Sequence, residues 1–139
     1  RDVGAVTYTQ MTDGDSASSL ATAANGDTVY FTRNGDTHVF RRTLSAGQTD
    51  TLLDFTGGVA RDVSVSSGKL AAVVGGMSGG PAQAERGGFL FSVEGAVMAQ
   101  IGDSSWLFRR PALSPDGTRL VVSAWNGAPN ADLWLFQLP

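Results

Sequence analysis

The stretch PALSPDGTRLVVSAW, residues 111–125, decides the fold because it has the form of a β-hairpin. Its centre, Ser114–Gly117, is typical of a type I turn, in which Pro115 presets φ at the second position and Asp116 tolerates the third. Apolar, β-prone residues flank this turn on both sides, as they do in hairpins. The pattern predicts that Asp116 turns the chain and takes no part in a binding site.

The same hairpin pattern occurs twice more, upstream. Thr22–Thr32 carries a turn at Gly26 before an apolar run, and Asp62–Val74 carries a turn at Gly68 before another. The turn glycines Gly26 and Gly68 are 42 residues apart, and Gly68 and Gly117 are 49 residues apart. Spacings of about 40 to 50 residues are typical of the four-stranded blades of β-propellers.

The remainder of each period is also β-prone. A third run follows every hairpin, at Thr37–Leu44, Gly88–Glu94 and Asp132–Leu138, and a fourth follows two of them, at Thr49–Phe55 and Val97–Gly102. No window carries the periodicity of an amphipathic helix. The sequence therefore predicts an all-β fold of about three propeller-type blades, each with four antiparallel strands.

The spacing divides one domain, residues 1–139, into blades at residues 18–57, 58–104 and 105–139. The last blade lacks a fourth strand of its own. A β-prone run at residues 3–9 precedes the first blade, and we expect it to supply the missing strand, since propellers close by such overlap and leave no open edge.

The last blade carries a recognisable motif. Pro111–Ser123, followed by Ala131–Phe136, resembles the WD40-like repeats of TolB-type propellers, which also occur in the propeller domains of prolyl-oligopeptidase-like peptidases. In the other blades, Ala24-Asn25-Gly26 and Ser66-Ser67-Gly68 replace Ser-Pro-Asp-Gly. The resemblance implies a propeller fold and a periplasmic or otherwise extracytoplasmic location, and it says little about function.

Composition excludes several classes of protein. The net charge of −3 argues against nucleic-acid binding, which needs a basic face. The absence of cysteine excludes disulfides and thiolate metal sites. No apolar run approaches the roughly 20 residues of a transmembrane helix, although docking on a membrane complex stays open. The basic doublets Arg41-Arg42 and Arg109-Arg110 are expected to point to opposite faces of their strands, so neither makes a patch.

No complete catalytic constellation is predicted. GMSGG at Gly76–Gly80 matches a nucleophile elbow around Ser78, but Gly-Gly-Pro follows the serine where a helix is needed. The single histidine, His38, lies upstream, and with no second histidine or cysteine it is a poor metal ligand. We expect Gly75–Gly88 to form a mobile glycine-rich loop, and we expect no cofactor.

A few residues are candidates for binding. Asp13 and Asp15 offer oxygen ligands to a cation, but the other ligands of a calcium loop are missing, so a polar connector is the simpler interpretation. Trp106 and Trp125 lie near loops. One of them is a candidate anchor of an interface. The alternative is that both pack in the core or against a loop. Val6 and Tyr8 share a face of the run at residues 3–9 and are candidate partner contacts.

Three blades fall short of the four to eight that close a ring. Three arrangements stay open. Two copies of the chain can complete one ring, the chain can be a piece of a longer propeller, or its three blades can form an arc that a larger assembly covers. We expect a non-enzymatic protein-binding or structural docking subunit whose partner is another protein or a second copy. The alternative is the propeller lobe of a prolyl-oligopeptidase-like hydrolase whose catalytic domain lies outside this chain.

Overall fold

Three antiparallel sheets make up the fold. The computed structural model describes residues 4, 10, 16–56, 58–76, 87–102, 105–127 and 129–139. Within these ranges the chain forms eleven strands and no helix, so none of the described segments is a helix that could cross a membrane. The predicted all-β fold of about three propeller-type blades is confirmed.

Each sheet is a meander of consecutive strands. Blade 1 contains β1 (Ala17–Thr22), β2 (Thr28–Arg33), β3 (His38–Thr43) and β4 (Gln48–Asp54). Blade 2 contains β5 (Gly58–Ser66), β6 (Lys69–Gly76), β7 (Gly87–Ser92) and β8 (Val97–Ile101). Blade 3 contains β9 (Leu107–Leu113), β10 (Arg119–Trp125) and β11 (Asp132–Gln137).

The turn at Ser114–Gly117 is held by its own side chains. The Gly117 N–H donates to the Ser114 carbonyl at 2.9 Å, as the predicted turn requires. Asp116 Oδ1 accepts hydrogen bonds from Ser114 Oγ at 2.5 Å, Thr118 Oγ1 at 2.9 Å and Thr118 N at 3.0 Å. These bonds, with that from Ser114 the strongest, lower the pKa of the Asp116 carboxyl to about 2. The carboxylate is therefore occupied within the turn.

The corresponding turns of the other two blades are formed by different residues. In blade 1, Asn25 Oδ1 accepts from the N–H groups of Asp27 at 3.0 Å and Thr28 at 3.2 Å, which is the task of Asp116 in blade 3. In blade 2, Ser67 and Gly68 have φ values of 50° and 73° and form a two-residue hairpin turn. The degenerate motif of blade 2 thus encodes a shorter turn.

The core lies between the sheets, in two layers. The first packs blade 1 on blade 2 and includes Tyr30, Val39 and Phe55. The second packs blade 2 on blade 3 and includes Leu90 and Phe108. Strand β6 contributes alternate residues to each layer: Leu70, Ala72 and Val74 face blade 1, and Ala71 and Val73 face blade 3. The continuous apolar run of β6 follows from this burial on both faces.

A repeated hydrogen bond also joins neighbouring blades. Ser19 Oγ on β1 accepts from the Val63 N–H on β5 at 3.2 Å, and Ser64 Oγ on β5 accepts from the Leu113 N–H on β9 at 3.1 Å. We call the first strand of each blade (β1, β5 and β9) its inner strand. The inner strand of each blade is therefore hydrogen-bonded to the inner strand of the next. Successive blades pack with the same geometry, head to tail.

A bulge changes the predicted geometry of β9. The register with β10 is interrupted between Val121 and Ser123, and Arg110 has a φ of 52°. The regular alternation expected for Arg109-Arg110 therefore does not hold. Pro111 follows directly, in the edge strand next to a bulge, which is where a sheet tolerates a residue without an N–H group.

Candidate functional site

Blade 3 carries an exposed apolar surface on the side away from blade 2. We call it the outer face of blade 3 and define it by Leu107, Val121, Trp125, Leu133 and Leu135. Their exposed fractions run from 39% for Val121 to 78% for Leu133. On the opposite side of the same sheet, Leu120, Val122 and Ala124 are buried against blade 2. The apolar residues thus lie together on one side of a sheet, with the polar Ser123 among them, and are not a scatter of single residues.

The outer face is continuous across all three strands. Val121 on β10 is the register partner of Leu135 on β11, and Trp125 is the partner of Leu107 on β9. Side chains directly opposite one another on neighbouring strands lie in contact distance, so these residues form one patch. A contiguous apolar patch of this kind usually marks an interface with another molecule.

Strand β11 adds an open edge to this surface. It pairs with β10, and the described residues provide no strand on its other side, whereas β3 and β7 each pair with a fourth strand. A free edge presents unpaired backbone N–H and C=O groups to any strand that approaches. Apart from Asp132 at its start, β11 carries no charged residue to discourage such pairing.

The two tryptophan candidates have different surroundings. Trp106 is half-buried, with its ring centroid 4.7 Å from that of Trp134 and 5.8 Å from that of Phe108. It belongs to an aromatic group beside the core layer between blades 2 and 3. Trp125, with 40% of its surface exposed, lies at the end of β10 on the outer face. The structure therefore brings Trp125, and not Trp106, to the exposed surface.

The other candidate residues lie outside the described ranges. These are Val6, Tyr8, Asp13 and Asp15, together with Ser78 and residues 77–86 of the predicted mobile loop. The β-prone run at residues 3–9 also falls there, apart from Gly4. Within the ranges that the structure does describe, no group of three acidic, histidine or cysteine side chains is arranged to hold a metal ion.

His38 lies between two carboxylates that the sequence analysis did not place beside it. Its Nδ1 is 2.5 Å from Asp36 Oδ1, and its Nε2 is 3.5 Å from Asp54 Oδ1. Partial burial raises the pKa of Asp36, but hydrogen bonds from His38 outweigh that effect and leave this pKa below its usual value. Asp36 lies two residues before His38 in the connection between β2 and β3, which is the one signal visible in the sequence, whereas Asp54 is brought beside His38 by the pairing of β3 with β4.

Comparisons with known proteins find solved structures of similar fold. No protein-family model matches the chain, and no curated protein matches it in sequence. TolB from Acinetobacter baumannii superposes with a TM-score of 0.68 at 13% identity, over 92% of this chain and 32% of that one. A gluconolactonase from Xanthomonas campestris gives 0.66 at 17% identity, over 94% and 40%.

A chain from a nidogen–laminin complex is also similar, with a TM-score of 0.65 at 15% identity over 88% of this chain and 44% of that one. This chain therefore spans between about a third and under half of the length of these solved chains. At such low identity the comparisons show the propeller-type fold alone. They include an enzyme, so the fold does not distinguish catalytic from non-catalytic roles.

Proposed function

We propose that this protein is a non-enzymatic docking subunit, and that the outer face of blade 3 and the open edge of β11 bind a second copy of the chain. The observation that carries the proposal is the exposure of several apolar side chains together on one side of a sheet, with Leu133 at 78% and Leu135 at 58%. Burying each of these leucines in an interface contributes about 1.5–3 kcal/mol.

The packing within the chain supports a second copy as the occupant. Blade 2 follows blade 1, and blade 3 follows blade 2, with the same face-to-face contact and the same serine hydrogen bond. The outer face of blade 3 is the side on which a further blade would follow. At the other end of the series, Leu20 of blade 1 is 67% exposed on the side away from blade 2. Its register partner Phe31 and the next residue across, Phe40, are only 4% and 6% exposed, so a second copy would contact Leu20 there and not a fully open apolar face.

The open edge gives the same interface a second element. An extended segment that pairs with β11 satisfies its unpaired backbone groups and extends the three-stranded sheet to four strands. Residues 3–9 of the second copy are β-prone and are our choice for this segment. An extracytoplasmic location, expected from the TolB-type resemblance, belongs to the same proposal.

The test is the mass of the protein in solution, measured by light scattering over a range of concentrations. We expect a dimer for the wild type. Replacing Leu133 and Leu135 together by lysine should weaken association at least tenfold per leucine, because burial of each contributes more than 1.4 kcal/mol. The matched control is Val97→Lys, since Val97 is 73% exposed on blade 2 and outside the outer face. A wild type that stays monomeric at high concentration would overturn the proposal.

A second candidate function is the propeller lobe of a hydrolase whose catalytic domain lies outside this chain. The fold is shared with a gluconolactonase, which is an enzyme, so this candidate stands beside the first. The discriminating observation is the full open reading frame from which the chain derives. A reading frame that continues into a hydrolase domain would support this alternative and leave the propeller with a supporting role.

A further inference from the structure

Two adjoining cavities lie where the inner strands of the three blades approach one another. Each has a volume of about 160 Å³. Arg33, Asn34, Arg61 and Arg109 line the first cavity, and Arg61 and Arg109 also line the second. Each blade thus contributes one arginine. We call the two cavities together the arginine cavity.

Two of the three arginines, Arg61 and Arg109, have little charge compensation from the described part of the chain. The first cavity has one acidic residue in its wall, Asp62, and Asp62 Oδ2 already accepts a hydrogen bond from the Arg110 N–H at 3.1 Å. Among the residues that the structure describes, no carboxylate lies within ion-pair distance of Arg61 or Arg109. A concentration of cations in a chain of net charge −3 is a local feature and does not follow from composition.

Arg61 is held in position by its packing. Its side chain lies directly over Gly75 on β6, where a Cβ atom would overlap Arg61 Nε and lie 2.9 Å from Arg61 Cδ. The backbone of Arg61 is fixed as well, because its carbonyl accepts a hydrogen bond at 3.1 Å from the hydroxyl of Thr32, a fully buried residue. A guanidinium placed in advance loses less entropy when it binds a ligand.

Arg33 also has a defined position in the wall of the first cavity. The carbon at the centre of its guanidinium lies 4.0 Å from the centroid of the Phe40 ring, and Phe40 in turn stacks on Phe31 at 5.4 Å. A cation over an aromatic ring is attracted by the electrons of the ring face, which holds the arginine against this wall.

We propose that the arginine cavity binds a small multivalent oxyanion with carboxylate or phosphate groups. The planar guanidinium matches both groups with paired N–H donors. The cavity volume restricts the ligand to a small molecule. The second cavity shares Leu107 with the outer face of blade 3, but none of the three arginines defines that face, so the inference does not depend on the proposed docking function.

Isothermal titration calorimetry at low salt tests the site with two probes, citrate and pyrophosphate. We expect the wild type to bind at least one of them: citrate alone indicates carboxylate recognition, and pyrophosphate alone indicates phosphate recognition. Arg109→Ala should weaken binding about tenfold or more, because a charge-assisted hydrogen bond has about that effect. Arg109 is exposed, so this variant should fold. Arg119→Ala, an exposed arginine that does not line the cavity, is the matched control and should bind normally.

Gly75→Ala separates a defined site from general attraction. The added methyl group must displace the Arg61 side chain while the charge of the protein stays the same. We expect weaker binding of the same probe in this variant, with a thermal unfolding transition recorded alongside to confirm that it folds. The proposal is wrong if neither probe binds to the wild type, or if Arg119→Ala weakens binding as much as Arg109→Ala does.

Discussion

At the scale of single residues, the side chain of Asp116 does the same work as that of Asn25. Each is placed at the same point of a blade's first turn, and each accepts backbone N–H bonds with Oδ1. The sequence predicted this role because turn chemistry is local. What local chemistry could not predict is the cluster around His38, since Asp54 reaches it only through the pairing of β3 with β4.

Removal of the Asp116 carboxylate tests this interpretation. We expect Asp116→Ala to lower the melting temperature modestly, because Ser114 and Thr118 lose their shared acceptor. Asp116→Asn should retain most of the stability, since Asn25 occupies the same place in blade 1. Association measured by light scattering should be unchanged in both variants. Loss of association in a fully folded Asp116→Ala protein would show that the residue belongs to a binding surface.

Acid should remove the contribution of Asp116 in a defined pH range. The carboxyl has a pKa of about 2 in the folded protein, below the ordinary value of 3.8. The carboxylate therefore stabilises the fold above pH 3.8, and this contribution is lost as the pH falls towards 2. Asp116→Asn should show a smaller decrease of melting temperature between these pH values than the wild type. Equal decreases would show that folding does not lower the pKa of the Asp116 carboxyl.

At the scale of elements, the sequence predicted the strands better than their environment. β6 and β11 are both apolar on successive positions, which is typical of strands buried on two faces. β6 is buried on both, whereas Leu133 and Leu135 of β11 are exposed. The periodicity of a sequence shows which face of a strand is apolar. It does not show whether another part of the protein covers that face. The arginine cavity was missed for a related reason: its residues come from three blades, and contact with Gly75 is visible only in three dimensions.

Two turn glycines allow the contact between blades to be measured. Gly26 and Gly117 have φ values of 70° and 69°, so alanine is strained at both by about 1–2 kcal/mol. A Cβ at Gly26 would meet no atom within 4 Å, but a Cβ at Gly117 would lie 2.9 Å from Ser67 Cβ on blade 2. Gly117→Ala should therefore lower the free energy of unfolding by about 1 kcal/mol more than Gly26→Ala. Equal effects of the two substitutions in chemical denaturation would show that the turn at Gly117 does not pack tightly against Ser67.

At the scale of the whole molecule, the three blades form an ordered series with unlike ends. The repeated packing explains why the spacing of glycines predicted the number of blades. It also means that the series can be extended by addition at blade 3, where the sheet is a strand short and its outer side is apolar. How many blades complete the assembly depends on contacts between chains, which no repeat within one sequence encodes.

Deletion of residues 1–10 addresses the assembly directly. If these residues of one copy pair with β11 of another, the shortened protein should keep its three blades but associate more weakly at every concentration. Light scattering and circular dichroism measured on the same samples separate these two properties. Unchanged association after the deletion would leave the apolar face as the whole interface and remove the strand exchange from the proposal.

Lys69, the only lysine in the chain, makes the joint between blades 2 and 3 chemically addressable. Its Nζ donates to the Gly117 carbonyl at 2.9 Å and also to the Pro139 carbonyl. Acylation of this amine removes its charge, and the attached group leaves no room for both bonds. An amine-directed reagent should therefore modify the side chain faster when the joint opens, because Lys69 is partly buried and both bonds must break. The rate of labelling at this one position, followed by mass spectrometry, then reports how often the two blades separate in an otherwise folded protein.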